Sequence, residues 1–212
     1  MSKLRKSTML ALVAALAVAA PARADDETVA VTSTAETQLT CQDPEVAPLL
    51  SAFKDSDLYF LAPGGDFEHG TDGWRLEDGA TIAEGSTAFS PFGAGEHSLQ
   101  LPVGSAATSP AFCVDERYPH FRLSVGQLGE KKAQVRVSVV YPGLEKNVRK
   151  TADVTAEDKH RWRLSKRLHL DPQRGLKRKA WRLVALRFEV LKGDEAGDAR
   201  VDDVLVDPRM RY

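Results

Sequence analysis

The stretch "WRLVALRFEVL", residues 181 to 191, decides the fold class because its apolar side chains alternate with other residues. Val184, Leu186, Phe188 and Val190 occupy every second position, and a period of two places them on one face of a β-strand. An amphipathic helix would repeat its apolar positions every three or four residues instead. The stretch therefore predicts a strand with one buried face.

The same alternation continues outward from this strand over much of the chain. It recurs in "AQVRVSVVYPG" (133–143) and "HFRLSV" (120–125), and other short apolar runs are separated by turn residues. The segment "PEVAPLLSAFKD" (44–55) has a spacing that suits a short helix at most. Without crossover helices a mostly parallel sheet cannot form, so we expect an all-β sandwich of about nine or ten strands.

The N-terminal residues have the three-part layout of a secretory signal peptide. A basic start is followed by an apolar run from Met9 to Ala20, and then by the small residues Ala22 and Ala24 on either side of Arg23. We predict that residues 1–24 are a signal peptide, that cleavage follows Ala24 and that the protein is secreted. The apolar run is too short to span a bilayer comfortably, so no membrane insertion is expected.

The remaining chain divides into a short segment and one domain. Residues 25–40 are polar, rich in Thr and without a sustained period, which predicts a flexible segment. Residues 41–212 are long enough for a single domain with a sizeable core. The chain has two cysteines, Cys41 and Cys113, and an even count in an exported protein predicts a disulfide between them.

Two stretches resemble a known family when they are taken together. "LAPGGDFEHGTDGW" (61–74) and "ARVDDVLVDP" (199–208) resemble the first and last strands of galactose-binding-like jelly rolls, especially those of carbohydrate-binding modules. With "SPAFCV" (109–114) between them, their order resembles that of small secreted bacterial proteins. The resemblance implies a jelly-roll β-sandwich whose terminal strands lie side by side and often share a structural Ca²⁺ ion.

The resemblance also implies ligands for that ion. Glu68 would be one side-chain ligand, Asp202 or Asp203 a second, and Asp66 a third through its side chain or backbone. Ca²⁺ takes six to eight oxygen ligands, which carboxylates and turn carbonyls can supply. Because neighbours on a strand point to opposite faces, only one of Asp202 and Asp203 is expected to face the ion. Alternatively, Asp66 caps a turn and the paired aspartates are solvated at a strand end.

A sugar site of this family would need exposed aromatic side chains. Trp74 and Trp181 lie in patterns that predict burial, which leaves Trp162 as the candidate. Three tyrosines lie in or beside predicted strands and are expected to be structural: Tyr59, Tyr118 and Tyr141.

The charges of the chain are divided unevenly. Residues 25–128 hold 17 Asp and Glu against 4 Lys and Arg, whereas residues 129–212 hold 13 against 21. The basic tract, residues 159–182, contains ten Lys and Arg and one Asp. Beside Trp162, its candidate ligand-binding residues are Arg161, Arg163, Lys177, Arg178 and Lys179.

Such a tract could bind an anionic polymer, such as a cell-wall polymer or another acidic polysaccharide. Nucleic acid would be attracted by the same charge, but export makes it a poor partner, and none is predicted. The alternative is a solvated strand-loop-strand region whose charges deter edge pairing.

Motifs of catalysis are absent from the sequence. The five histidines form no HExxH pair, and neither a G-x-S-x-G elbow nor a phosphate-binding glycine loop occurs. We therefore expect no enzyme. The sequence predicts a secreted, non-catalytic jelly roll that binds carbohydrate or a cell-surface polymer; the alternative is a structural envelope protein with no small ligand.

Overall fold

A computed structural model of the chain describes residues 41–87, 90–93, 95–144, 147–156, 161–176, 180–193 and 196–207. All of them belong to the unit Thr40–Tyr212. The predicted signal peptide and the predicted flexible segment lie outside the described residues. In the described part of the chain, no helix is long and apolar enough to cross a membrane.

The described residues form thirteen β-strands and one 3₁₀ turn, Ser51–Phe53, where a short helix at most was expected. The strands are β1 Phe60–Leu61, β2 Arg75–Glu77, β3 Thr81–Glu84, β4 His97–Leu101, β5 Ala106–Thr108, β6 Phe112–Val114, β7 His120–Leu128, β8 Ala133–Val140, β9 Val148–Ala156, β10 Trp162–Leu164, β11 Leu168–His169, β12 Arg182–Val190 and β13 Asp198–Asp207.

The strands pair into two antiparallel sheets. The first sheet has the order β10-β7-β13-β4-β3, with β1 paired to β13 and β11 paired to β7. The second has the order β2-β5-β12-β8-β9, with β6 paired to β12. The predicted all-β, jelly-roll sandwich is confirmed. The expected number of strands was too low because β5, β10 and β11 are too short to display a period, and β9 carries few large apolar residues.

The core lies between the two sheets and uses the predicted faces. Leu186 and Phe188 of β12 and Val137 of β8 are fully buried, as are Leu123 and Val125 of β7. All five belong to one apolar cluster. The alternation in the sequence therefore predicted correctly which side chains face inward.

Aromatic residues fill one end of this core. Trp74 is buried, its ring stacks on Phe188 at a centroid distance of 5.6 Å, and its indole N–H donates to the Pro63 carbonyl at 3.0 Å. The predicted structural tyrosines are all buried, at positions 59, 118 and 141. These side chains hold the fold together and are not available to a ligand.

The glycines before Asp66 let the start of the domain approach its end. Phe60 of β1 pairs with Val206 of β13, so the terminal strands are neighbours, as the family resemblance implied. Beyond β1 the contact continues: Ala62 N–H donates to the Val204 carbonyl at 2.9 Å, and Val204 N–H donates to the Gly65 carbonyl at 3.0 Å. A Cβ atom at Gly65 would lie 3.0 Å from the Val204 Cβ, so only glycine fits without displacement.

The predicted disulfide joins Cys41 to Cys113 with a Cα–Cα distance of 5.5 Å. Cys113 lies in β6, which pairs with the beginning of β12. The bond therefore attaches the first described residue to the second sheet. It closes a loop over a sequence separation of 72 residues, and loops of that length gain about 4 kcal/mol in the chain-entropy model.

Candidate functional site

Trp162 lies on the outer face of the first sheet, over a glycine of the neighbouring strand. In the pairing of β10 with β7, Trp162 is opposite Gly126. A Cβ atom at Gly126 would lie 3.3 Å from Cδ2 and Cε3 of the indole, which means that the ring rests on the bare backbone. The side chain is only partly buried. The ring is therefore held in place and still reaches solvent.

Two arginines flank this ring. Arg200 of β13 is opposite Gly126 on its other side, and its Nη1 donates to the Gly85 carbonyl at 3.2 Å. Arg161 is exposed and directly precedes β10. Neither guanidinium has an acidic partner among the described residues. Together with Gln127 and Leu128 these residues line a shallow depression of about 210 Å³. We call Trp162, Gly126, Arg161 and Arg200 the Trp162 platform.

The structure divides the predicted basic tract instead of gathering it on one surface. Arg163 is opposite Val125, a core residue, and so points to the other side of β10 from Trp162. Trp181 is only partly buried, although its pattern predicts burial, and it stacks on Tyr118, which precedes β7. Trp162 instead lies against Gly126, the seventh residue of β7. The candidates Lys177, Arg178 and Lys179 lie outside the described residues.

The outer face of the second sheet has a different character. Glu77 accepts from Arg187 at 2.5 Å, and Asp153 is within 3.7 Å of Arg136 and 2.5 Å of Lys150. Among the described residues of its strands, the two aromatic side chains, Phe112 and Phe188, are buried. This face is a set of ion pairs with no ring on which a sugar could stack.

Four carboxylates lie at the other candidate site, the acidic corner, which we define as Asp66, Glu68, Asp202 and Asp203. A β-bulge interrupts the pairing of β13 between Asp202 and Leu205, and Asp203 has a positive φ of 46°. Both aspartates are buried, with 1% and 2% of their surface exposed. Burial of both contradicts the alternative in which the pair is solvated at a strand end, and the bulge breaks the strict alternation of the strand. That only one of them faces an ion stays a prediction.

Ser86, Thr87 and Ser90 contact the two buried aspartates. Asp202 Oδ2 accepts hydrogen bonds from Ser86 Oγ at 2.7 Å and Thr87 N–H at 3.0 Å. Asp203 Oδ1 accepts one from Ser90 Oγ at 3.0 Å, and Asp203 N–H donates to Asp202 Oδ1 at 2.9 Å. These partners are neutral. Among the described residues neither carboxylate forms an ion pair.

Glu68 is held by backbone donors close to this pair. Its carboxylate accepts from Glu96 N–H at 3.0 Å and His97 N–H at 3.1 Å, and it lies 3.3 Å from His97 Nδ1. Burial alone would raise the pKa of Glu68, but these hydrogen bonds and the neighbouring imidazole together lower it. Glu68 is therefore an anion at neutral pH.

Burial and mutual repulsion act in the opposite direction on the aspartate pair. Burial is the main cause that raises the pKa of Asp202 to about 6, with a smaller contribution from the charge of Glu68. Burial followed by the charge of Asp202 raises the pKa of Asp203 to about 7, and Asp66 and Glu68 add to this. At neutral pH the acidic corner thus concentrates negative charge: His97 lies beside Glu68, but among the described residues no Lys or Arg side chain forms an ion pair with the four carboxylates.

The negative charge of the acidic corner would attract a cation, but its side chains do not form a complete metal site. Within the described residues, no group of three or more His, Cys, Asp and Glu side chains is arranged to hold a metal ion. An ion such as Ca²⁺, which needs six to eight oxygens, would have to take much of its coordination from other oxygens. Asp202, Asp203 and Glu68 are the side chains that its charge would stabilise.

Comparisons with known proteins place the fold and leave the ligand open. No protein-family model matches the chain, and no curated protein sequence matches it. The solved structures that it resembles include carbohydrate-binding modules and an adhesin domain.

The CBM22-1 xylan-binding domain of Xyn10C from Paenibacillus barcinonensis is 13% identical with a TM-score of 0.46, over 70% of this chain and 94% of that one. The module TmCBM61, solved with β-1,4-galactotriose, is 16% identical with a TM-score of 0.42, over 69% and 96%. The K2 cleaved adhesin domain of Lys-gingipain is 11% identical with a TM-score of 0.45, over 70% and 98%. The similarity is one of fold at low identity.

Two residues of the Trp162 platform were not identified from the sequence. Arg200 lies within "ARVDDVLVDP", where the candidate residues are the two aspartates. Gly126 interrupts an otherwise regular strand, and a glycine inside a strand often marks a close approach of another group. That signal was present, but it does not name the group that approaches.

The pKa values of the acidic corner predict that stability depends on pH when metal ions are removed. The folded-state pKa values of Asp202 and Asp203 lie above the usual value of 3.8, so the folded protein binds more protons than the unfolded chain. This contribution to stability is complete below pH 4 and is lost as the pH rises through 6 and 7. With chelator present, the free energy of unfolding should fall by roughly 2 to 4 kcal/mol between pH 5 and pH 8.

Urea unfolding at four pH values measures this slope. Asp203→Asn should remove most of it, because the variant has no charge to bury at that position. Glu77→Gln is the matched control: the hydrogen bond from Arg187 lowers the pKa of Glu77, so its ionisation is complete throughout this range and the slope should not change. A wild-type stability that does not fall toward pH 8 would contradict the assignment.

Proposed function

We propose that this protein is exported and binds a polysaccharide at the Trp162 platform, without catalysing a reaction on it. The observation that carries the proposal is the Trp162 ring, which rests on Gly126 and remains partly open to solvent. An aromatic face is slightly negative and attracts the C–H groups of a sugar ring. A ring already fixed by the sheet loses little conformational freedom when the sugar binds.

The surroundings of the ring support a polar ligand. Arg200 and Arg161 supply hydrogen-bond donors for hydroxyl groups, and the depression is shallow enough to leave both ends of a polymer in solvent. Since the guanidinium of Arg200 already donates to the Gly85 carbonyl, its position is fixed before a ligand arrives. A ring fixed on the sheet beside the positioned guanidinium of Arg200 is an arrangement that orients a sugar.

Two further observations support export. The first 24 residues have the layout of a signal peptide. The bond between Cys41 and Cys113 belongs to an oxidising compartment. A polysaccharide of a cell surface would be encountered there.

Substitution of Trp162 tests the proposed function. Affinity gel electrophoresis against neutral polysaccharides (xylan, β-1,4-galactan and a soluble cellulose) should reveal retardation by at least one of them. Trp162→Ala should weaken that binding by about tenfold or more, because it removes the stacking face, whereas Trp162→Phe should retain part of it.

Phe92→Ala is the matched control, since Phe92 is an exposed aromatic side chain of a different segment, with 47% of its surface accessible. Its loss should leave the retardation unchanged. If no polysaccharide slows the wild-type protein, or if Trp162→Ala binds as well as wild type, the proposal is wrong and a structural envelope role is favoured.

The proposal includes a structural Ca²⁺ ion at the acidic corner. The buried pair Asp202 and Asp203 has no cationic partner among the described residues, and Glu68 contributes further negative charge. A cation would offset both causes that raise the two pKa values, first the burial of the charges and then their mutual repulsion. It would also secure Ser86 and Ser90 against β13, to which their hydroxyl groups donate hydrogen bonds.

Calcium should therefore stabilise the protein, and more strongly at pH 8 than at pH 5, because the deprotonated carboxylates bind it. Thermal melts with EDTA and with millimolar Ca²⁺ measure the effect. Glu68→Gln should abolish it, and Glu77→Gln should not. Equal melting temperatures with EDTA and with Ca²⁺ at pH 8 would remove calcium from the proposal.

A further inference from the structure

The open edges of the two sheets face each other across a groove of about 430 Å³. One side is β9, which pairs only with β8 in the described structure, and the other is the segment from β10 to β11, which pairs only with β7. We call this space the edge groove. The residues that matter for its chemistry are Thr151, Asp153 and Thr155 of β9, and Arg163, Lys166 and Arg167 opposite them.

The charges of the edge groove do not cancel. Asp153 is within 2.5 Å of Lys150 and 3.7 Å of Arg136, so its charge is offset by side chains of the second sheet. Arg167 is committed to Asp57 and to Asp207, the latter at 3.0 Å. That leaves Arg163 and Lys166, both exposed and without an acidic partner among the described residues.

The segment that carries these two cations is anchored. Ser165, between them, is 3% exposed. Its N–H donates to the Leu123 carbonyl at 2.8 Å, and its Oγ accepts from Leu123 N–H at 3.1 Å. Since Ser165 is fixed to β7 in both directions, the backbone that presents Arg163 and Lys166 has a defined position before any ligand binds.

The lining of the groove favours an acidic sugar polymer over other polyanions. Thr151 and Thr155 line the side of the groove opposite the cations. The Thr151 hydroxyl donates to the His169 carbonyl at 2.6 Å, which leaves its oxygen able to accept from a hydroxyl group of a sugar. Its described lining contains no Phe, Tyr or Trp side chain on which a nucleobase could stack. The Trp162 platform lies on the reverse side of the same strand, β10.

We infer that the edge groove is a second binding site, in which Arg163 and Lys166 hold the carboxylates of an anionic polysaccharide. The site is separate from the Trp162 platform, and it requires no stacking. Two unpaired cations on an anchored segment form charge-assisted hydrogen bonds with successive acidic groups, while the threonine hydroxyls contact the sugar between them.

The test uses the full chain and two forms of one polymer, polygalacturonate and its methyl-esterified form, which has the same backbone without the charge. Polygalacturonate should bind in low salt and dissociate as the salt concentration rises, because the cations are exposed. The double variant Arg163→Gln/Lys166→Gln should bind it at least about tenfold more weakly. The charge-matched control is Arg75→Gln/Lys192→Gln, which changes the net charge by the same amount at residues that do not line the groove. Arg75 lies on β2, at the opposite edge of the second sheet from β9.

The control variant should bind polygalacturonate as wild type does. Equal losses in the two double variants would show a diffuse charge effect and overturn the inference, as would equal binding of the esterified polymer. Equal binding of poly-glutamate or poly(glycerol phosphate), which carry charge without pyranose rings, would overturn the assignment to a polysaccharide.

Trp162→Ala separates the two proposals. It should leave binding of polygalacturonate in the groove intact even where it abolishes binding of neutral polymers.

Discussion

The pairing of β13 with β7 is the interaction on which the rest of the structure depends. These two strands form the centre of the first sheet, and β1, β4, β10 and β11 attach to one or the other of them. The register joins Asp198 to Leu128 at one end and Asp207 to His120 at the other, with a bulge between. At that bulge two adjacent carboxylates are buried and accept hydrogen bonds from Ser86, Thr87 and Ser90, so the strand that closes the fold also carries an electrostatically unfavourable site.

The attachment of β10 to β7 determines where the candidate ligand sites lie. Because β10 is an edge strand, its side chains have solvent on one side of the sheet and the open end of the sandwich on the other. Trp162 therefore rests on Gly126 at the outer face, while Arg163, its neighbour, enters the edge groove. Leu164 returns to the outer face and packs against the small cluster of Leu50, Tyr59 and Leu205, which fixes the strand there. A strand of three residues thus separates an aromatic surface from a cationic one.

The sequence was sufficient for the fold class and for much of the core, because apolar alternation in β7, β8 and β12 is produced by burial against the opposite sheet. It was insufficient where short elements matter. Strands of two or three residues such as β10 and β11 have no measurable period. The basic tract therefore predicts one cationic surface, whereas β10 places the neighbours Trp162 and Arg163 on opposite sides. The aspartate pair misled for a related reason: alternation predicts opposite faces, but a bulge, which depends on the partner strand, buried both. A glycine inside a strand such as Gly126 indicates that another group approaches closely, but only the tertiary structure identifies that group as the Trp162 ring.

The central claim is that Trp162 is the surface that contacts a sugar. The most direct test follows the three indole N–H signals in a ¹⁵N–¹H NMR spectrum. The protein is titrated with a soluble oligosaccharide of the polysaccharide that it binds. Trp74 donates to the Pro63 carbonyl inside the core and serves as the internal reference. Trp181, which is partly buried and stacks on Tyr118, is the competing aromatic surface. The account predicts that the Trp162 signal moves with the concentration of the sugar while the other two stay in place. Movement of the Trp181 signal with Trp162 unchanged would contradict it.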